Sequence, residues 1–201
     1  MTLDAFRDKI TVIINPLTIR LYKFGLSPNQ LSMGSLISAV VAGLSFYLNI
    51  LPLAVIATAS NALFDALDGS LARISDSASR RGDLIDHVVD RYSDIFIIAG
   101  IFFGGYVSWQ IGVIALVGVL MTSYLGTQAQ ALGIGRNYGG ILGRADRLVI
   151  IFIVGALNII YPSNIIWFPL LGWMMITFAV ISHFTALQRF YHALRELNGK
   201  P

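Results

Sequence analysis

The sequence predicts an all-α integral membrane protein: six transmembrane helices preceded by an N-terminal amphipathic helix lying in the membrane interface. Three observations carry this. The chain is 56% hydrophobic and only 12% charged, whereas a soluble domain carries about 25% charged residues. Its apolar residues fall into runs of roughly 20, the length that crosses a hydrocarbon core. Its 14 Lys and Arg all lie on one side of the resulting arrangement or in the adjoining helix ends.

Residues 1–26 are too polar to span. Ile10, Ile13, Ile14, Leu17, Leu21 and Phe24 recur at helical spacing, mostly opposite Asp8, Lys9, Arg20 and Lys23. That pattern predicts an interfacial helix bent at Asn15-Pro16, and it also suits a helix packed on the protein. The acids in its first turns and the lack of a small-residue cleavage site read against a signal peptide. Ser27 is an N-cap with Pro28 at the first helical position, opening a span over residues 29–48. A turn at Asn49–Pro52 leads into a second span over 52–73, and the third covers 82–103. Gly104–Ser108 turns the chain into the fourth span, 109–132. A Gly-rich loop over 133–143 precedes the fifth, 145–161, and Tyr161–Asn164 leads into the sixth, 164–187. The predicted organisation is an interfacial helix over 1–26, a membrane domain over 27–190 and a cytoplasmic tail over 191–201.

With six spans, both termini and the loops at 74–81 and 133–144 share the basic side, and the three opposite turns carry no Lys or Arg. The positive-inside rule makes that side cytoplasmic, in a cell membrane. Tyr106, Trp109, Tyr161 and Trp167 fall at the outer boundary as belt anchors, and Trp173 is a packing residue. Ser35, Ala39 and Gly43, then Gly100 and Gly104, are small residues at four-residue spacing that suit close helix contact, within one bundle or across a homodimer. There is no cysteine, which excludes disulfides, thiolate metal sites and a cysteine nucleophile.

The segment DALDGSLARISDSASRRGDLIDHVVD, residues 65–90, joins the second and third spans. Asp65 and Asp68 are three apart and share a helix face; Asp86 and Asp90 are four apart and share another. An antiparallel hairpin turns these faces toward each other. Carboxylates at membrane depth are costly and mark function, so four together call for a cation. Oxygen ligands select one or two Mg²⁺ or Mn²⁺ ions over zinc. Gly69 and Gly82 let a ligand approach the backbone, and Arg73 offers a fork to phosphate. Metal, arginine and glycine beside acids suit phosphoryl transfer. A competing reading pairs the acids with Arg73, Arg80, Arg81 and Arg91. It accounts for Asp76, Asp83 and Asp94 but poorly for Asp65 and Asp68, which sit among apolar residues.

The segment matches the pattern D-x2-D-G-x2-A-R-x8-G-x3-D-x3-D at Asp65, Asp68, Gly69, Ala72, Arg73, Gly82, Asp86 and Asp90. In this the chain resembles the CDP-alcohol phosphotransferase family, whose six-helix core follows a short interfacial helix. The resemblance implies that Asp65, Asp68 and Asp86 hold the metals, and that Asp90 completes the metal site and acts as the general base. It implies that Asp68, Gly69, Ala72, Arg73 and Gly82 line the CDP pocket. The implied reaction moves the lipid phosphoryl group of CDP-archaeol or CDP-diacylglycerol to an acceptor hydroxyl, releasing CMP.

A second polar group holds Ser123, Tyr124, Thr127, Gln128 and Gln130 in the fourth span and Arg144, Asp146 and Arg147 in the fifth. Arg144 and Arg147 lie about a turn apart and suit an acceptor phosphate; they also suit membrane anchors, one of them paired with Asp146. The stretch SYLGTQAQALGIGRNYGGILGRADR resembles the inositol-phosphate-accepting branch of the family. This implies inositol phosphate as acceptor, bound by Ser123, Arg144 and Arg147. Leu125-Gly126 stand where bacterial members of that branch carry a basic residue, which keeps glycerol phosphate and serine open as acceptors. His87 points off the Asp86–Asp90 face, and His183 and His192 read as solvated or interfacial. An intramembrane prenyltransferase would carry a second Asp-rich motif, and a transporter would carry acids at several depths. Neither pattern is present, and no feature points to nucleic acid.

Overall fold

The computed structural model describes residues 7–75, 79–135 and 140–199, with the side chains of 7–13 also outside the description. Asp76, Arg136 and the N-terminal part of the amphipathic pattern, Asp8 to Ile13, therefore lie outside the described residues or side chains. Seven helices make up the described fold: α1 (Arg7–Lys23), α2 (Pro28–Tyr47), α3 (Leu51–Ile74), α4 (Arg80–Phe103), α5 (Trp109–Ala131), α6 (Arg144–Ile160) and α7 (Leu170–Asn198). Helices α2, α3, α5 and α7 are long and apolar enough to cross a membrane, which makes this a multi-pass membrane protein. The first half of α4 is too rich in charge to meet that measure, and α6 has 17 residues.

Local signals set the helix starts. Gln30 accepts from both the backbone N–H and the hydroxyl of Ser27, at 2.8 and 3.1 Å, ahead of Pro28. Ser79 caps α4 by accepting from Gly82 N–H at 3.1 Å. Helix α1 runs through Pro16 as one helix. It docks on α3 through Ile14 and Leu21, which pack against Leu31, Leu67 and Leu71. Leu17 and Phe24, expected on the same face, are exposed instead. The buried position between Ile14 and Leu21 goes to Thr18, which donates to the Ile14 carbonyl.

Helices α2, α3 and α4 form one group, and α6 packs chiefly on α3 and α7. At the α2–α4 crossing a Cβ on Gly43 would overlap the Phe96 carbonyl, and one on Gly100 would overlap the Gly43 backbone. The small residues thus serve contact within one chain, and the pairing of two copies gains no support from them. The core between helices is apolar, with Phe46, Ile97, Ile98, Ile101, Leu171, Met175 and Phe178 almost fully buried. Across α2, α3 and α4, Asn61 Nδ2 donates to the Ser35 carbonyl at 2.9 Å and contacts Ser93 Oγ at 3.3 Å. This polar staple lies about one turn below the acids.

Several sequence expectations are corrected here. Helix α7, at the sixth expected span, starts at Leu170, after a short bridge between Ile165 and Phe168, and runs to Asn198. The helix thus continues past residue 190. Tyr106 is no belt anchor: it is buried and meets Phe46 edge-on at 6.4 Å. Trp109, Tyr161 and Trp167 are exposed, and Trp173 packs against Phe168 with its indole N–H on the Ile165 carbonyl. His183 is half-buried and its Nε2 lies 3.1 Å from the Ile114 carbonyl on α5.

Candidate active site between α3, α4 and α6

Asp65, Asp68, Gly69, Ala72 and Arg73 occupy successive turns of α3, while Gly82, Asp86 and Asp90 occupy α4. The hairpin brings the two acid pairs together. Oxygens of Asp65, Asp68 and Asp86 lie within 4.8 Å of one another, and ligand atoms of Asp86, His87 and Asp90 do the same. His87 therefore stands beside this cluster, although it is off the face that Asp86 and Asp90 share. It also stands 3.7 Å from Asp83, which is exposed and outside the site. Asp68 is buried, and Ser32 of α2 donates to its Oδ2 at 2.7 Å. A carboxylate fixed by such a charge-assisted bond is a pre-oriented ligand.

Helix α6 brings positive charge to these acids. Arg144 Nη1 lies 2.6 Å from Asp65 Oδ1 and 2.8 Å from Asp90 Oδ1. The second contact is short but poorly aligned, so that Asp90 Oδ1 is buried without a proper hydrogen bond. The space between Asp65 and Asp90 therefore receives a cation through charge more than through hydrogen-bond geometry. Together with the converging oxygens, this fits a divalent ion held by carboxylates. Asp65, Asp68 and Asp86, with Asp90 beside them, would hold it.

Arg147 is the largest fully buried side chain, and its Nη2 donates to Asp94 Oδ2 at 2.8 Å. Asp146 instead caps α6, accepting from Gly143 N–H at 2.8 Å. Neither arginine is a solvated anchor. Among the described residues, Arg144 Nε and Nη2 and Arg147 Nε are buried without hydrogen-bond partners. Such donors are costly unless an anion takes them.

The pattern-matched glycines are also placed on this side. A Cβ on Gly69 would meet only the Arg73 guanidinium, at 3.8 Å, so the helix face there is open. Ala72 is half-buried and Arg73 exposed. Gly82 is the residue whose N–H Ser79 caps. Ser123 is buried on α5, and no hydrogen bond joins it to Arg144 or Arg147 among the described residues.

Three residues in or near this network escape a motif reading. Ser32 is a small polar residue of the first span. Asp94 looks like a helix-surface acid, yet it is buried among arginines. Arg189 reads as a tail residue, but it is buried on α7 and donates to the Thr122 carbonyl at 2.8 Å. The periodic set Ser182, Thr185 and Arg189, all buried, was the available signal for that polar stripe.

Carboxylates converging for a divalent ion, with arginine donors beside them inside a helical membrane fold, define a metal-dependent membrane phosphotransferase. The chain belongs to the CDP-alcohol phosphatidyltransferase family, whose model matches residues 25–189. It is 34% identical over 195 residues to the archaetidylinositol phosphate synthase of Pyrococcus horikoshii, covering 97% of this chain and 98% of that protein. Its fold matches the phosphatidylinositol phosphate synthase of Mycobacterium tuberculosis with CDP-DAG bound, at a TM-score of 0.76 and 26% identity over 90% of this chain and 93% of that one. The same enzyme in complex with manganese and citrate matches at a TM-score of 0.76 and 26% identity, over 89% of this chain and 88% of that one.

Proposed function

We propose that this protein transfers the lipid phosphoryl group of CDP-archaeol or CDP-diacylglycerol to a hydroxyl of inositol phosphate, giving a phosphoinositol-phosphate lipid and CMP. The observation that carries the reading is the pairing of two features: the Asp65, Asp68, Asp86 and Asp90 cluster, and the buried Arg144 and Arg147 with donors to spare. The similarity to the two synthases supports inositol phosphate over glycerol phosphate or serine.

Asp65, Asp68, Asp86 and Asp90 would hold two Mg²⁺ or Mn²⁺ ions. Bound there, the ions neutralise the diphosphate and the charge that develops on departing CMP. Gly69, Ala72, Arg73 and Gly82, with Asp68, line the CDP site. Asp90 takes the proton of the acceptor hydroxyl. That oxygen forms a bond to the lipid-side phosphorus while the bond from this phosphorus to the CMP oxygen breaks. Arg144 and Arg147, with Ser123, hold the acceptor phosphate. Helices α4 and α6 complete six spans, which brings both termini and the site to the basic, cytoplasmic side. Helix α1 lies along that interface, with Leu17, Tyr22 and Phe24 toward lipid.

The test is CMP release by the purified protein with Mg²⁺, using CDP-archaeol and CDP-diacylglycerol against inositol phosphate, inositol, glycerol phosphate and serine. Release is expected to require a CDP-lipid and to be fastest with inositol phosphate. Equal or faster release with glycerol phosphate or serine would remove the acceptor assignment and leave the reaction class standing.

A further inference from the structure

We propose that Asp94 is a positioning residue for the acceptor, holding Arg147 and steadying Arg144 in the orientation that receives the acceptor phosphate. The proposal rests on the acceptor role of the two arginines given above. Asp94 follows Asp90 by one helical turn on α4 and is 3% exposed. It stands apart from the metal cluster because its oxygens are engaged elsewhere. Oδ2 accepts from Arg147 Nη2 at 2.8 Å and lies 4.0 Å from Arg91 Nη1, while Oδ1 lies 3.9 Å from Arg144 Nε. Three guanidinium groups surround one carboxylate.

Two features separate this from a plain tie between helices. Helix α6 packs chiefly on α3 and α7, so Arg147 reaches α4 through its side chain and not across a main packing contact. A buried ion pair that only joined helices would be replaceable by apolar packing at little cost. Here it leaves Arg147 Nε, Arg144 Nε and Arg144 Nη2 buried without a hydrogen-bond partner among the described residues. By taking Nη2 of Arg147, Asp94 determines which edge of that guanidinium remains open. A phosphate has enough oxygens to satisfy the open donors of both arginines.

The experiment uses the full-length protein and reads KM for inositol phosphate, KM for the CDP-lipid, kcat and the melting temperature. The variants are Asp94→Asn, Arg147→Gln and the double variant. Asp94→Asn is expected to raise the acceptor KM about tenfold and leave the CDP-lipid KM within about twofold. Because Asp94 acts through Arg147, the double variant is expected to be no worse for the acceptor than Arg147→Gln alone. If Arg147→Gln raises the acceptor KM and Asp94→Asn does not, the positioning role is wrong. Effects that multiply in the double variant, or that move both KM values together, also overturn it. If Arg147→Gln leaves the acceptor KM unchanged, the acceptor reading itself falls, and the role of Asp94 with it. Should Asp94→Asn fail to fold, Asp94→Glu keeps the charge but displaces it by one methylene. A raised acceptor KM in that variant supports the proposal, and an unchanged one overturns it.

Discussion

Arg144→Gln separates two roles that meet in one side chain. Arg144 contacts Asp65 at 2.6 Å and Asp90 at 2.8 Å, with the three side chains between 11% and 29% exposed. At an effective dielectric near 20, each contact carries about 6 kcal/mol of Coulomb attraction. Desolvation of the guanidinium and the carboxylates offsets most of this. A net competition of about 1.4 to 3 kcal/mol remains, since charged hydrogen-bonded contacts contribute about that much. A divalent ion drawn to Asp65 and Asp90 must displace this cation. Arg144→Gln is therefore expected to bind Mn²⁺ about 10- to 150-fold more tightly than wild type. The assay is titration of purified protein with Mn²⁺, without substrates, following the spin resonance of free ion. Arg147→Gln, whose described ion pair is with Asp94, is expected to change Mn²⁺ affinity by no more than about twofold. In turnover the same Arg144→Gln protein is expected to have a raised KM for inositol phosphate. Unchanged or weaker Mn²⁺ binding in Arg144→Gln would refute the competition. Equal tightening in both variants would reduce it to a general charge effect.

Three further outcomes follow from the same geometry. Ser32→Ala removes the 2.7 Å bond to Asp68. It is expected to raise the Mg²⁺ concentration for half-maximal CMP release by about tenfold or more, as loss of a ligand-orienting partner does; an unchanged midpoint would show that Asp68 needs no such support. Asp90→Asn is expected to lower kcat by at least about 100-fold with the melting temperature little changed, consistent with loss of a general base. Measurable turnover near the wild-type rate would dismiss that role. Gly100→Val drives a side chain into the Gly43 backbone at the α2–α4 crossing. It is expected to destabilise the protein by about 1–3 kcal/mol or more, read as a lower melting temperature in detergent, whereas a wild-type value would mean the crossing can open.

The acid hairpin was legible because its spacing is local. Three- and four-residue intervals put each carboxylate pair on one face whatever the rest of the chain does, and a short connection makes the faces meet. The helix order was legible for a similar reason, since apolar runs and turn residues signal over short distances. The partners of the acids were not. Arg144 lies 79 residues after Asp65 and Arg147 lies 53 after Asp94. No periodicity connects them, and either arginine alone reads as a membrane-edge anchor. The pairing of Asp94 with a neighbouring arginine was legible, and Arg91 lies 4.0 Å from it, but its bond to the distant Arg147 was not. The continuation of α7 past residue 187 was not legible because polarity there resembles a tail, whereas the buried Arg189 bonds to α5 through the Thr122 carbonyl.

The division of charge along the chain has a structural consequence. The acids lie on α3 and α4, which belong to the group centred on α2, and their closest cations, Arg144 and Arg147, come from α6. An acidic half and a basic helix thus meet across the site. Each would be costly to bury alone, because an uncompensated charge in a low-dielectric interior is far more expensive than a paired one. Apolar packing secures the helices elsewhere, in the core around Phe46, Ile97, Ile101 and Phe178. On the proposed function, Arg144 would move between Asp65 and Asp90 and a substrate phosphate without dissolving the bundle, while Asp94 keeps hold of Arg147. This movement also explains why the polar staple of Asn61, Ser35 and Ser93 matters. It ties α2, α3 and α4 together about one turn from the acids, so that exchange of cations need not move the carboxylates that must stay in register.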